Sequence, residues 1–151
     1  MSFHNFALFF HLLGVITWVG GMAFAYVCLR PAAGVLAPAD RLSLWRGVFQ
    51  RFFPLVWISI ALILVSGLGT LIKVGFGQAP AAWHLMMVVG LVMVGVFVNL
   101  WMGPWPQLRQ AVQDQDWARG AKALNAIRQR VALNLALGAF NVATATLGLA
   151  F

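Results

Sequence analysis

Long apolar runs alternate along this chain with short connections that hold nearly all of its charge. Crossing the hydrocarbon of a bilayer takes roughly 20 apolar residues in helical form. Four stretches meet that length: about 6–29, 52–72, 82–102 and 131–151. Backbone polar groups must be satisfied inside lipid, so each stretch is expected to be a helix. The expectation is an all-α integral membrane protein, a bundle of four transmembrane helices forming one domain over residues 1–151.

The connections give the bundle a direction. Arg30, Arg41, Arg46 and Arg51 fall between the first two runs, and Arg109, Arg119, Lys122, Arg128 and Arg130 between the last two. The middle connection holds only Lys73, and both ends of the chain lack Lys and Arg. Basic residues gather on the cytoplasmic side of membrane proteins, so both termini are expected outside. The first run has no basic stretch before it and no small-residue cleavage site, and is read as a span instead of a signal peptide.

The inner connections look partly helical. Asp40 is expected to cap a helix that carries Leu44, Trp45, Val48, Phe49 and Phe52 toward the membrane. Asp116 is expected to start a helix that runs into the fourth span. Pro31, Pro38, Pro104 and Pro106 mark breaks, Pro54 is expected to bend the second span, and Gly75 to Pro80 suits a tight outer hairpin.

Each span carries one polar or small stripe. On the first, His4, His11 and Trp18 repeat every seven residues, beside Ala7, Gly14, Gly21 and Cys28. The second carries Ser59, Ser66 and Lys73; the third His84, Leu91, Gly95 and Asn99; the fourth Asn134, Asn141 and Gly148, with Gly138 and Thr144 alongside. These stripes are expected to face inward, where polar groups can pair and backbones can approach closely. For Ser59, Ser66 and Asn134, plain hydrogen bonding between helices is the favoured role.

Composition agrees with the pattern. The chain has 151 residues, 62% of them hydrophobic and 9% charged, with no glutamate. That inventory could hardly cover a water-soluble surface. The net charge of +7 follows the topology signal and forms no single patch, so nucleic acid is not an expected partner. The lipid bilayer is, with a secondary attraction of anionic headgroups to Arg41, Arg46 and Arg51. One cysteine, Cys28, leaves no internal disulfide and no paired-cysteine motif.

The candidate chemistry lies in the three histidines. Imidazole in lipid is costly and usually has a partner or a task. His4, His11 and His84 are all expected in the outer half, with Met87 a turn beyond His84 and Lys73 on the same side. Imidazole suits copper, haem iron and zinc, and thioether selects Cu(I). All three aspartates fall on the inner side, so a hard-cation site and carboxylate catalysis are disfavoured. Ser, Asn or backbone carbonyls are left to orient the histidines.

The run HLLGVITWVGGMAFAYVCLRP (His11 to Pro31) resembles the opening helix of the copper resistance protein D (CopD) family. WRGVFQRFFPLVWISIALILVSG and WHLMMVVGLVMVGVFVNLWMGPW resemble its following helices. The resemblance implies a bacterial inner-membrane protein of copper uptake or resistance, acting with a periplasmic copper-binding partner, with His11 at the matched functional position. The chain would be a minimal four-helix version of a longer membrane protein. A more distant likeness is to HemJ-type protoporphyrinogen oxidases, small four-helix proteins that bind haem b. That family places a lysine early in its third helix, where this chain has Leu85-Met86-Met87.

Three functions compete. In the first, ranked highest on the resemblance, His4, His11, His84 and Met87 take Cu(I) from the outer side. Met93, Met22, Met102 and Cys28 would hand it inward, and a gated path through four helices would call for a homo-oligomer. In the second, His11 and His84 are trans axial ligands of haem b, Gly14 and Gly21 make room for the macrocycle, and Lys73 meets a propionate; this alone would make the chain an enzyme, a haem-dependent oxidoreductase. In the third, the chain is an assembly subunit without a ligand.

Overall fold

The chain folds as four long helices, and the computed structural model describes residues 3–147. Helix α1 covers 3–35 as one rod with two π-helical stretches, Ile16–Gly20 and Ala25–Leu29, and a final 3-10 turn. Helix α2 runs unbroken from Pro38–Val74, α3 covers Ala81–Met102, α4 Pro104–Gln113 and α5 Trp117–Thr146. Three stretches among the described residues have the length and hydropathy of a membrane span: His4–Val35, Pro38–Val74 and Ala81–Gln113. The fourth helix of the bundle is α5, whose apolar run begins at Val131; Gly148 and the rest of the expected span to residue 151 lie outside the described residues.

Local chemistry sets the ends. Pro38 and Pro104 occupy first-turn positions, where a missing N–H costs nothing. Asp116 caps α5 as expected, its Oδ1 accepting the Arg119 N–H at 3.0 Å. Asp116→Ala should lower stability by about 1 kcal/mol, read from a thermal melt in micelles. Asp40 does not cap α2: Ala37 is the capping residue and Asp40 sits in the first turn, because Pro38 starts the helix earlier than expected. There its charge favours the helix N-terminus without closing a hydrogen bond. The far end of α2 stops at Gly75, whose φ of +93° suits glycine, and Gln78 and Ala79 bond back to its carbonyl to close the tight hairpin. Pro54 leaves α2 unbroken.

Helix α2 has 37 residues, about 55 Å at 1.5 Å per residue, against roughly 30 Å of hydrocarbon. The helix is thus longer than the hydrocarbon is thick. Toward its Pro38 end it packs with α4 and the start of α5, and Leu42, Leu108, Ala111, Ala123, Leu124 and Ile127 form a core at that end of the bundle. This corrects the expectation for the amphipathic stretch. Trp45 and Phe49 do not turn to lipid; both are buried in the bundle core, and only Leu44 of that set is well exposed. Lipid and a neighbouring helix offer the same apolar environment, so the pattern of residues alone does not separate them.

Packing is uneven around the bundle. Helix α1 lies chiefly along α2, and α3 along α5, while α2 and α3 are held apart by aromatic rings. Phe53 stacks on Phe49 and meets Phe97, Trp101 and Trp105 edge-on. Trp18 of α1 reaches Phe97 of α3 across the middle, ring centroids 6.2 Å apart. Two carboxamides tie α5 to α3. Asn134 Nδ2 donates to the Met93 carbonyl at 3.0 Å, and Asn141 Nδ2 to the Met86 carbonyl at 3.2 Å, seven residues on in one helix and seven back in the other.

Three of the four expected stripes do face inward at their centres: Gly14 and Trp18, Ser59 and Ser66, and Asn134, Gly138 and Thr144 are buried. The stripe expected on α3 does not. Leu91, Gly95 and Asn99 are exposed, and α3 turns Ala82, Met93, Phe97 and Leu100 to the core. Large rings fill the wide gap to α2 better than small residues would, and Asn99 is taken up by Arg130, whose Nε donates to its Oδ1 at 2.7 Å.

Candidate functional site

His11 sits where α1 packs along α2. Gly14, one turn further along, lets the helices meet: a Cβ there would come within 3.0 Å of the Ser59 carbonyl oxygen. Gly67 of α2 faces the imidazole itself. The ring is half-buried, and its Nδ1 lies 3.0 Å from Ser66 Oγ. Ser66 carries one hydroxyl proton, and its Oγ already approaches the Leu62 carbonyl at 2.5 Å and the Ile63 carbonyl at 3.2 Å. Two oxygens this close need the proton between them, so toward His11 the hydroxyl accepts and Nδ1–H donates. The tautomer this network assigns carries the proton on Nδ1 and the lone pair on Nε2.

His84 reaches the same state by another route. Its Nδ1 lies 3.3 Å from the carbonyl oxygen of Pro80, which can only accept. Nδ1 therefore holds the proton and Nε2 is open. Both orienting groups are of the kinds expected once carboxylates were set aside: a serine for His11 and a backbone carbonyl for His84. Ser66 itself was read only as a packing residue; its seven-residue spacing from Lys73 and Ser59 gave no sign that a histidine would meet it.

Among the described residues, no three His, Cys, Asp or Glu side chains come together as a metal-holding group. His4 is exposed on the first turns of α1, Met87 is half-buried on α3, and Lys73 is exposed in the last turn of α2. Register explains the separation. The Trp18–Phe97 contact fixes α1 against α3. His11 lies seven residues before Trp18 and His84 thirteen before Phe97. At 1.5 Å per residue the two imidazoles differ in level by about 9 Å, with His4 about level with His84.

This geometry bears on both ligand readings. Trans axial ligands must face each other across one iron, which the offset of His11 and His84 does not suit. The niches expected to admit a macrocycle are filled by α2: a Cβ on Gly14 would meet Ile63, and one on Gly21 would strike the Phe52 ring. The inward relay is broken as well. Met22 and Met93 are buried in the core, but Met102 and Cys28 face away from the bundle. The seven-residue row that aligned Cys28 with Ala7, Gly14 and Gly21 ignores the π-helical turns of α1, which rotate its second half.

The family model described as copper resistance protein D matches residues 46–147. The chain belongs to the copper resistance protein D family. The match covers α2 from its second turns through to the end of the described residues, so it takes in Ser66, His84 and Asn141. His4 and His11 precede it. No curated protein and no solved structure matches the chain. Family membership and the apolar helices together make this a copper resistance-related membrane protein.

Proposed function

We propose that this member of the family handles copper as cargo at the histidine end of its bundle, with His11 as the leading ligand and His84 as a second, separate contact. The observation that carries the reading is the matched state of the two rings. Each has Nδ1 beside a fixed oxygen, which leaves the Nε2 lone pair for a metal, the arrangement that an orienting partner imposes on a metal-binding histidine. An incomplete ligand set suits a metal that is passed on more than one that stays. His4 and Met87 sit at the same end and would join when the ion arrives, or a periplasmic copper-binding partner would supply the missing donors.

The side follows from charge. Nine of the ten basic residues lie at the opposite end, which the positive-inside rule assigns to the cytoplasm. The histidine end and both termini then face the periplasm, and the membrane is the bacterial inner one. Oligomerisation would complete a path through the bilayer.

The test is a Cu(I) titration of the purified chain in micelles against a competing chelator, with metal analysis and an optical spectrum of the same sample. A high-affinity Cu(I) site without a Soret band supports the proposal. No competition with the chelator, or a Soret band with bound iron, overturns it.

A further inference from the structure

The end of the bundle away from the histidines holds a second feature that copper handling does not use. Between α1, α2 and α5 lies a small cleft of about 20 Å³, lined by Tyr26, Arg30, Trp45, Phe49 and Arg128 among others. That is space for one or two waters, or for the leading oxygens of a larger group entering from outside. The surface of the cleft itself is apolar, and the N–H groups of Trp45, Arg30 and Arg128 lie around it. The Trp45 ring is 2% exposed and its Nε1–H, fully buried, has no acceptor. Arg128 Nε is likewise buried and unpartnered. The Arg128 guanidinium lies over the Trp45 ring at 5.5 Å, and that of Arg30 over the Tyr26 ring at 5.0 Å, so aromatic faces hold both cations in place.

No aspartate balances this charge. Asp114 pairs with Arg119 at 3.9 Å, Asp116 caps α5, and Asp40 is exposed in the first turn of α2. Burial, and then the positive charges of Arg30 and Arg41, push the Arg128 guanidinium below its usual proton affinity. Buried donors without acceptors are costly, and neighbouring like charges repel. An anion with several acceptor oxygens would relieve both at once. The level is right for one: Arg30 follows the first apolar run and Arg128 precedes the last, where a leaflet's phosphates lie.

We propose that this cleft binds a single phosphate group, its oxygens taken by Arg128, Arg30 and the Trp45 Nε1–H. An anionic lipid headgroup and free phosphate share this chemistry. The site is independent of the copper reading and lies at the other end of the molecule.

The experiment is native mass spectrometry of the purified full chain in micelles, with added dioleoylphosphatidylglycerol, dioleoylphosphatidylcholine or inorganic phosphate. The wild type should hold one anionic phosphate ligand. Arg128→Gln should weaken it about tenfold, as loss of a charge-assisted hydrogen bond does, and Trp45→Phe by a few-fold. Arg119→Gln, exposed and outside the cleft, should leave binding unchanged. Retention of phosphatidylglycerol that inorganic phosphate does not displace identifies a lipid headgroup; binding of phosphate alone, or displacement by it, identifies free phosphate. Arg128→Lys and Trp45→Phe decide the matter if Arg128→Gln does not fold. Equal binding by wild type, Arg128→Lys and Trp45→Phe, or binding of no phosphate compound at all, overturns the proposal.

Discussion

His11→Ala is expected to abolish high-affinity Cu(I) binding, and Ser66→Ala to weaken it by about 10- to 100-fold, the usual cost of losing a group that orients a metal ligand. The two substitutions separate ligation from orientation. Alanine at 66 removes only an oxygen, and the helix keeps its own backbone bonds, so a thermal melt should move little. Without Ser66 Oγ the His11 ring loses the hydroxyl that holds Nδ1, and its proton is less confined to that nitrogen. Nitrogen-15 chemical shifts of the imidazole give a readout that a packing role would not move: the wild type should show protonated Nδ1 and bare Nε2, and Ser66→Ala a mixture of tautomers. Ser66→Thr, which keeps the hydroxyl, should restore most of the affinity. If Ser66→Ala binds copper as tightly as wild type, the orientation argument fails even if His11 is a ligand. If His11→Ala binds normally, the copper site lies elsewhere.

The sequence told much about the bundle and less about the site. Helix number, the tight Gly75 hairpin and the Asp116 cap could all be read, because each rests on local chemistry. What was illegible depends on which apolar surface meets which. Trp45 and Phe49 looked like membrane anchors and are core residues, since lipid and a helix neighbour select the same side chains. The small stripe of α3 looked inward and faces outward, since aromatic rings on α2 and α3 set a spacing that no single helix reveals. Among the described residues the three histidines form no metal-holding group, because the register between α1 and α3 is set by Trp18 and Phe97 and not by the histidines. The π-helical turns of α1, invisible to any heptad count, turned Cys28 away from the interior.

The close approach of α1 and α2 makes Gly14 the position with the largest expected structural effect. A Cβ there would lie 2.9 Å from Ile63 Cγ1 and 3.0 Å from the Ser59 carbonyl oxygen. Ile63 can turn aside, but the carbonyl belongs to the backbone of α2 and moves only with the helix. Gly14→Val adds two methyl groups beyond that Cβ, so α1 must shift outward, at a cost of about 1–3 kcal/mol for overpacking. The shift acts on the site one turn away. A hydrogen bond of 3.0 Å between His11 and Ser66 tolerates only about half an ångström of separation before it is lost. Gly14→Val should therefore melt at a lower temperature and also lose copper affinity as far as Ser66→Ala does, with the two effects not adding in the double variant, since both remove the same contact. Gly67→Ala is the matched control on the facing helix. Its Cβ would rest 3.5 Å from His11 Cε1 and 3.7 Å from Nδ1, ordinary contact distances, so both stability and copper binding should stay near wild type. A Gly14→Val protein with unchanged melting and unchanged copper affinity would mean that the two helices are not in close contact at this level, and the basis for a fixed His11 would go with it.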